Sequence, residues 1–262
     1  MASDQSTGAK MAPQPAEQAR SHAPAVPDKN PENLKAMAAD AALTEDLALS
    51  LLKRADVTAD ALEQLGKNGS VLKFRRVKLG LVQHPRTPRH ISLPLVRQLY
   101  TFDLMQVALT PVVPADIKLA ADEALCHRME TISAGEKLSL AHRASGRVAR
   151  ELLLDPEGRV VHAALENSRL TESAIVGALT RHEASAAFVE AVCHHRRWSL
   201  RREVRAALVR NQKTPMACAV EFARTLPAGQ VREILQGSRL PGNVKEFLLK
   251  EVERRGARGR RG

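Results

Sequence analysis

Apolar residues recur at helical spacing through most of the chain. Between residues 31 and 255, leucine, valine and alanine return every three or four positions, and short polar segments separate successive runs. This period places apolar side chains on the faces of helices. No segment alternates apolar and polar residues between hairpin turns. The pattern therefore predicts about fourteen short helices and no strand.

Polar residues that precede the apolar runs are typical helix N-caps. Asn30 stands before Pro31 and Glu32, an order found where helices begin. Ser133 and Glu136 have the spacing of a capping box. Further caps are predicted at Thr44, Thr58, Ser70, Thr171 and Ser199.

A five-residue motif between helices recurs along the chain. It reads HPRTP at 84–88, NSRLT at 167–171 and NQKTP at 211–215, and a weaker copy begins at His127. The starts at 84, 127, 167 and 211 are 43, 40 and 44 residues apart, and a half-length echo, GSRLP, begins at Gly237. Intervals of about 40–47 residues are typical of HEAT and armadillo arrays.

Apolar residues follow each strong copy of the motif at the same offsets. Positions seven, eleven and twelve residues after the start hold Ile91, Leu95 and Val96; Ala174, Ala178 and Leu179; Cys218, Phe222 and Ala223. Such offsets cover more than one side of a helix, as expected for a helix packed between its own repeat and the next. The sequence therefore predicts an all-α, right-handed α-solenoid of HEAT-like repeats with a period of about 42 residues. Leu95, Phe222 and Leu248 should be buried at equivalent sites.

Three segments carry a resemblance to known repeat families. Residues 77–88, 154–165 and 203–215 resemble the HEAT-like and variant leucine-rich repeats of bacterial proteins. The resemblance covers roughly residues 70–255 and implies an α-solenoid. It implies no single activity, because these families include scaffolds, regulators, chaperone-like lyases and DNA-repair enzymes.

Composition divides the chain into three parts. Residues 1–29, rich in Ala, Pro, Gln and Ser, are predicted to be a disordered leader; residues 30–255 form the repeat domain, and residues 256–262 a basic Arg/Gly tail. The chain has no secretory signal, no apolar run long enough to span a membrane and only three widely spaced cysteines. The expectation is a cytoplasmic protein, and the excess of Arg over Lys favours a bacterial one.

Candidate chemistry is sparse. Cys193, His194 and His195 are adjacent, as are Cys126 and His127, but neighbouring helical residues point about 100° apart and rarely ligate one ion. There is no nucleophile elbow, phosphate-binding loop or dinucleotide fingerprint. We therefore predict no metal and no cofactor, and favour a protein that is not an enzyme. An enzyme with residues dispersed along the chain is the alternative.

Positive charge is segregated. The net charge is +11, yet residues 64–102 alone carry +8, residues 194–210 carry +5 and residues 254–262 carry +5. Equivalent motif positions hold Arg86, Arg169 and Lys213, which would line one edge of a solenoid. A second cluster around the only tryptophan, Trp198, comprises Arg196, Arg197, Arg201, Arg202 and Arg205. These eight residues are the predicted binding site for an anionic partner; the competing interpretation is that they solvate helix faces and bond carbonyls at helix C-termini.

Three functions remain open on the sequence. The first is a repeat scaffold that binds the acidic surface of another protein through a basic edge or groove. The second is a nucleic-acid binder that places the same arginines on phosphates. The third is a DNA-base-repair type of solenoid enzyme, which would need Trp198 with Asp103 or Asp155 in a groove. None involves a membrane, and the sequence does not specify an oligomeric state.

Overall fold

A computed structural model describes residues 30–258 of the chain, and this part is helical with no β-strand. The helices are α1 (Pro31–Ala39), α2 (Glu45–Leu52), α3 (Ala59–Lys67), α4 (Gly69–Leu72), α5 (Arg75–Gln83), α6 (Arg89–Val96), α7 (Thr101–Leu109), α8 (Ala115–His127), α9 (Ala134–Arg143), α10 (Gly146–Leu152), α11 (Gly158–Leu165), α12 (Glu172–Leu179), α13 (Ala186–His194), α14 (Arg202–Arg210), α15 (Met216–Thr225), α16 (Ala228–Gln236) and α17 (Gly242–Arg258). They outnumber the fourteen expected, in part because α4 is a single turn. The all-α prediction is confirmed for the described residues.

Most predicted helix starts are confirmed by their capping contacts. The side chains of Thr44, Thr58 and Thr171 accept hydrogen bonds from backbone N–H groups in the first turns of α2, α3 and α12. Ser133 and Glu136 form a capping box at α9, and Asn30 caps α1. Ser70, in contrast, lies inside α4, because Asn68 is the residue that caps this helix.

The predicted helix start at Ser199 is wrong. Helix α14 begins only at Arg202, since residues 196–200 form turns. Trp198 is buried there, and its Nε1 donates to the Leu165 carbonyl at 2.8 Å, which holds the chain out of helical geometry. Leu200 is consequently 67% exposed and does not extend the buried stripe formed by Val204 and Leu208.

The apolar register predicted within single helices is confirmed. Residues eleven and twelve positions after each motif start are buried: Leu95, Val96, Ala178, Leu179, Phe222 and Ala223. Those seven positions after it, Ile91, Ala174 and Cys218, are half-buried in all three helices. Leu248 is also buried. Matching offsets therefore have matching environments.

Helices pack against their near neighbours along the chain. Besides consecutive helices, close contacts join helices two apart, as in α6 with α8, α8 with α10, α10 with α12, α12 with α14 and α14 with α16, and likewise α9 with α11 and α11 with α13. Hydrogen bonds between such neighbours link residues separated by 23 positions, from Asn167 to Ala144, up to 33 positions, from Trp198 to Leu165. The packing unit is therefore two helices. The interval of about 42 residues spans three helix-and-turn units, and it reflects the similar chemistry of the turns.

The ends of the described region differ from the predicted boundaries. Helix α17 continues to Arg258, three residues into the predicted basic tail. The predicted leader, residues 1–29, and residues 259–262 lie outside the described residues. In residues 30–258, no helix combines the length and the apolar character that crossing a membrane requires.

Candidate anion-binding site

Several turns between helices share one hydrogen-bonding arrangement. The first turn residue accepts a hydrogen bond from the backbone N–H two positions later, which is the geometry of an Asx turn. The acceptors are Asp40 Oδ1 (2.8 Å), His84 Nδ1 (3.2 Å), Asn167 Oδ1 (2.8 Å), His195 Nδ1 (3.2 Å) and Asn211 Oδ1 (2.8 Å). The turn that starts at His195 belongs to this set, although the sequence indicated only a cluster of basic residues there. The feature that could have identified this turn is His195 itself, which occupies the position held by Asn167 and Asn211 in two other turns.

In three of these turns, the basic residue two positions after the acceptor reaches back to an earlier turn. Arg86 Nη1 donates to the carbonyls of Ala55 (3.0 Å) and Val57 (3.2 Å). Arg169 Nη1 donates to the carbonyl of Arg143 at 3.2 Å. Arg143 is the last residue of α9, where carbonyls lack an intrahelical partner, whereas Ala55 and Val57 lie in the segment between α2 and α3.

Lys213 makes the corresponding contact in the third turn. Its Nζ donates to the carbonyls of His182 and Ala184. Arg128, in the weaker copy of the motif, donates to the carbonyls of Leu99 and Arg97, each at 2.6 Å. These cations therefore join turns, and the structure supplies a reason for their presence that involves no partner.

The structure does not bring Arg86, Arg169 and Lys213 together on one edge. Arg86 and Arg169 follow α5 and α11, which are an even number of helices apart, whereas Lys213 follows α14. From α5 onwards, hydrogen bonds join turns two helices apart, as from α11 to α9 and from α14 to α12, so turns an odd number of helices apart lie at opposite ends of the helices. An interval of three helices alternates between these ends, which separates Lys213 from the other two.

The predicted arginine cluster near Trp198 is partly committed to internal contacts. The Arg197 guanidinium lies 4.1 Å from the centroid of the Trp198 ring, and Arg202 Nη2 donates to Gln230 Oε1 at 2.7 Å. Arg205 Nε donates to the Ser199 carbonyl at 2.6 Å, and its guanidinium lies over the Phe222 ring. Arg196 and Arg201 are exposed and have no side-chain hydrogen bond or ion pair among the described residues.

Basic side chains do converge where α12, α14 and α16 end. A cavity of about 490 Å³ at this place, which we call the basic pocket, is lined by Arg181, His182, Arg210, Lys213 and Arg239. The remaining lining residues are neutral: Leu179, Thr180, Ala184, Ala207, Asn211, Gln212 and Gly237. No Asp or Glu lines the pocket, so its field attracts anions.

The cations of the basic pocket differ in whether their side chains already have hydrogen-bond partners. Arg181 Nη1 donates to Glu151 Oε2 at 2.8 Å, and this hydrogen bond raises the pKa of the guanidinium. Lys213 is held by two carbonyls. The guanidiniums of Arg210 and Arg239 make no hydrogen bond or ion pair with any described residue, although the Arg239 carbonyl accepts from Gln212. Two planar five-donor groups are therefore available to a ligand.

Sequence reasoning located this pocket only in part. The repeated motif marks Lys213, and its half-length echo, GSRLP at 237–241, contains Arg239, but neither Arg181 nor Arg210 belongs to the motif. Arg181 follows the C-cap of α12 and Arg210 is the last residue of α14. The sequence feature that could have identified them is a basic residue at or just after the end of α12 and of α14.

A second cavity, of about 550 Å³, is lined by titratable side chains on α11, on α13 and in the turns that follow them. It is lined by His162, Glu166, Glu190, His194, His195 and Arg196, together with Ala187 and Ala191. Among them, His195 has a side chain that is 8% exposed, and burial lowers the pKa of its imidazole more than nearby Glu166 raises it.

The hydrogen bonds of His195 assign it to the turn. Its Nδ1 accepts from the backbone N–H groups of Arg197 (3.2 Å) and Trp198 (3.4 Å). Glu166 Oε1 lies 3.3 Å from Nε2, but outside hydrogen-bonding geometry. Because Nδ1 is the acceptor of the turn, taking up a proton there would break the turn. The geometry therefore disfavours a role in proton transfer.

The residues proposed for base-repair chemistry are all committed elsewhere. Trp198 is 1% exposed. Asp103 receives two hydrogen bonds of 2.7 Å from Arg75, and Asp155 receives one of 2.8 Å from Lys137. None of the three is free to meet a substrate in a groove.

Cys126 and Cys193 are unsuited to nucleophilic chemistry. Burial raises the pKa of the Cys193 thiol to about 12 and that of Cys126 to about 11, so both remain protonated at neutral pH. In the part of the chain that the structure describes, no three His, Cys, Asp or Glu residues are placed to hold a metal ion.

Comparison with known proteins identifies no relative of this chain. No protein-family model, no curated protein and no solved structure matches the chain.

Proposed function

We propose that this protein is a non-enzymatic helical-repeat scaffold that binds an acidic segment of a partner protein in the basic pocket. The architecture we propose is a right-handed HEAT-like α-solenoid, which is supported by the packing of helices two apart along most of the chain. The observation that carries the function is the basic pocket itself: four permanent cations, no lining carboxylate, and two guanidiniums without a partner among the described residues.

Carboxylates suit this pocket better than a nucleic-acid strand does. Arginine binds a carboxylate through two parallel hydrogen bonds, a match that needs only one or two free guanidiniums. A strand needs a track of cations along several phosphates, and single strands also need aromatic platforms for stacking. No Phe, Tyr or Trp side chain lines the pocket, and Trp198 is buried.

The test is charge reversal at the two uncommitted arginines. The double variant Arg210→Glu, Arg239→Glu should reduce the affinity for a fluorescent oligoglutamate peptide at least about tenfold, because the retained cations already have internal partners. Binding is measured by fluorescence anisotropy at low salt. The matched control is Arg76→Glu, Arg143→Glu, which makes the same change of charge at two exposed arginines whose side chains also lack a partner among the described residues.

Two outcomes would contradict the proposal. Equal loss in both double variants would show that only net charge matters. Tighter binding of an oligothymidylate of the same charge, sensitive to the same two arginines, would favour the nucleic-acid function instead. Circular dichroism must show unchanged helicity in both variants for the comparison to stand.

A further inference from the structure

An apolar cavity adjoins the basic pocket. Its volume is about 290 Å³, and its apolar lining consists of Val209, Met216, Ala219, Leu240, Val244 and Leu248. We call it the apolar pocket. Asn211, Gln212, Thr214 and Pro241 complete the lining, which contains no charged residue.

Both pockets are built on the same two turns, residues 211–215 and 237–241. Asn211 and Gln212 line both cavities. Lys213 and Arg239 line the basic pocket, whereas Thr214 and Leu240 line the apolar one. The Gln212 amide donates to the Arg239 carbonyl and so joins the two turns where the pockets meet.

The apolar pocket has a buried floor and an accessible rim. Ala219 and Leu248 are buried, while Met216 is 43% exposed. An exposed methionine beside a cavity is a feature of surfaces that accommodate apolar side chains of a partner. An aliphatic side chain entering this cavity would cover Met216 and leave its own polar backbone at the rim.

We infer that the two pockets together receive one linear peptide segment in which an aliphatic side chain stands beside acidic residues. This inference rests on the proposed function and specifies its ligand. The carboxylates bond to Arg210 and Arg239, and the neighbouring aliphatic side chain fills the apolar pocket. The shared residues Asn211 and Gln212 mean that both contacts fall within a few residues of the peptide.

The terminal segments of this chain do not have that chemistry. Residues 1–29 contain three acids that are far apart and three basic residues, and Val26, their one branched aliphatic residue, has a single acid nearby, Asp28, which Lys29 follows directly. Residues 256–262 are basic and would be repelled by Arg210 and Arg239. Charge complementarity therefore assigns the pockets to a segment of another protein.

The experiment compares two acidic peptides that differ only in a central Leu or Gln. The full-length protein should bind the Leu peptide about tenfold more tightly, the effect of burying one aliphatic side chain. Met216→Gln should reduce this preference to less than about threefold, because it places a polar group at the rim. The control Leu200→Gln changes an exposed leucine that lines neither pocket and should leave the preference intact.

The outcomes separate this inference from the proposed function. Equal affinity for the two peptides, with both lost in Arg210→Glu, Arg239→Glu, would overturn the inference and leave the basic pocket as the binding site. Binding of neither peptide to the unaltered protein would overturn both. A preference that persists in Met216→Gln would place the aliphatic contact elsewhere and overturn the inference.

Discussion

His84 and His195 occupy the turn position that Asn167 and Asn211 occupy in other turns. All four accept a backbone N–H two residues later, but imidazole does so only through an unprotonated Nδ1. Asn adds donors: Asn167 Nδ2 donates to the carbonyls of Ala141 and Ala144. The two residue types are therefore equivalent as acceptors and differ in their response to pH.

The histidine turns should make stability depend on pH. Burial lowers the pKa of both imidazoles in the folded protein. The unfolded chain then binds these protons more strongly, so their stabilising contribution is complete above the unfolded pKa of about 6.5 and is lost as the pH falls towards the lowered folded values. Between about pH 7.5 and pH 5.5, the free energy of unfolding should fall less in His84→Asn, His195→Asn than in the unaltered protein.

Urea unfolding at a series of pH values measures this difference. The variants His84→Ala and His195→Ala serve as controls, since they lose the acceptor at every pH and should be less stable by roughly 0.5–1.5 kcal/mol each at neutral pH. An unchanged pH slope in the Asn variant would mean that the imidazoles do not contribute to it.

At the scale of single helices, the close approach of a turn to a helix start requires one particular glycine. A Cβ at Gly146, the first residue of α10, would overlap the backbone carbonyl oxygen of Arg169. Gly158 begins α11 in the same way, yet a Cβ there would meet nothing within 4 Å. The two glycines form a matched pair that differs only in its surroundings.

We therefore expect opposite effects from the same substitution. Gly158→Ala should be neutral or slightly stabilising, since alanine is the better helix former. Gly146→Ala should lower the free energy of unfolding by roughly 1–3 kcal/mol, because backbone rather than a flexible side chain has to move. Chemical denaturation of both variants gives the comparison, and equal stabilities would show that the turn yields without cost.

Local features of the helices were predictable from sequence, and contacts between helices were not. The caps Thr44, Thr58 and Thr171 act on their own first turns, so the signal lies within four residues. Ser199 failed as a cap because the bond that shapes its turn runs from Trp198 to Leu165, 33 residues away. Periodicity within one helix carries no information about such a partner.

The same limit applies to the whole molecule and to the candidate site. The motif copies, spaced 43, 40 and 44 residues apart, lie at every third turn of the chain. They look alike because these turns have similar chemistry. Packing instead joins helices two apart. The basic pocket takes its cations from three turns that approach one another only through this packing, so Lys213 and Arg239 could be singled out by sequence but not placed beside Arg181 and Arg210.

At the scale of the whole molecule, five basic residues in or beside the described turns fall into two classes that one experiment separates. Arg86, Arg169 and Lys213 donate to carbonyls of earlier turns, whereas Arg210 and Arg239 have no partner among the described residues. Replacing the first three by Ala should destabilise the protein by roughly 0.5–1 kcal/mol per site, the lower part of the usual range because these bonds are largely exposed to solvent. The three effects should add, since the turns share no partner.

Replacing the second class by Ala should have the opposite consequence. Arg210→Ala, Arg239→Ala should alter the free energy of unfolding by no more than about 0.5 kcal/mol, because no internal bond is lost, and should weaken oligoglutamate binding. Urea titration and fluorescence anisotropy on the same two variants test both expectations. If the triple variant unfolds normally but fails to bind, the turn cations belong to the binding surface and their bonds to carbonyls contribute little. If it unfolds earlier and still binds while folded, the turn cations stabilise the packing of the helices, and within the basic pocket Arg210 and Arg239, rather than Lys213, contact the partner.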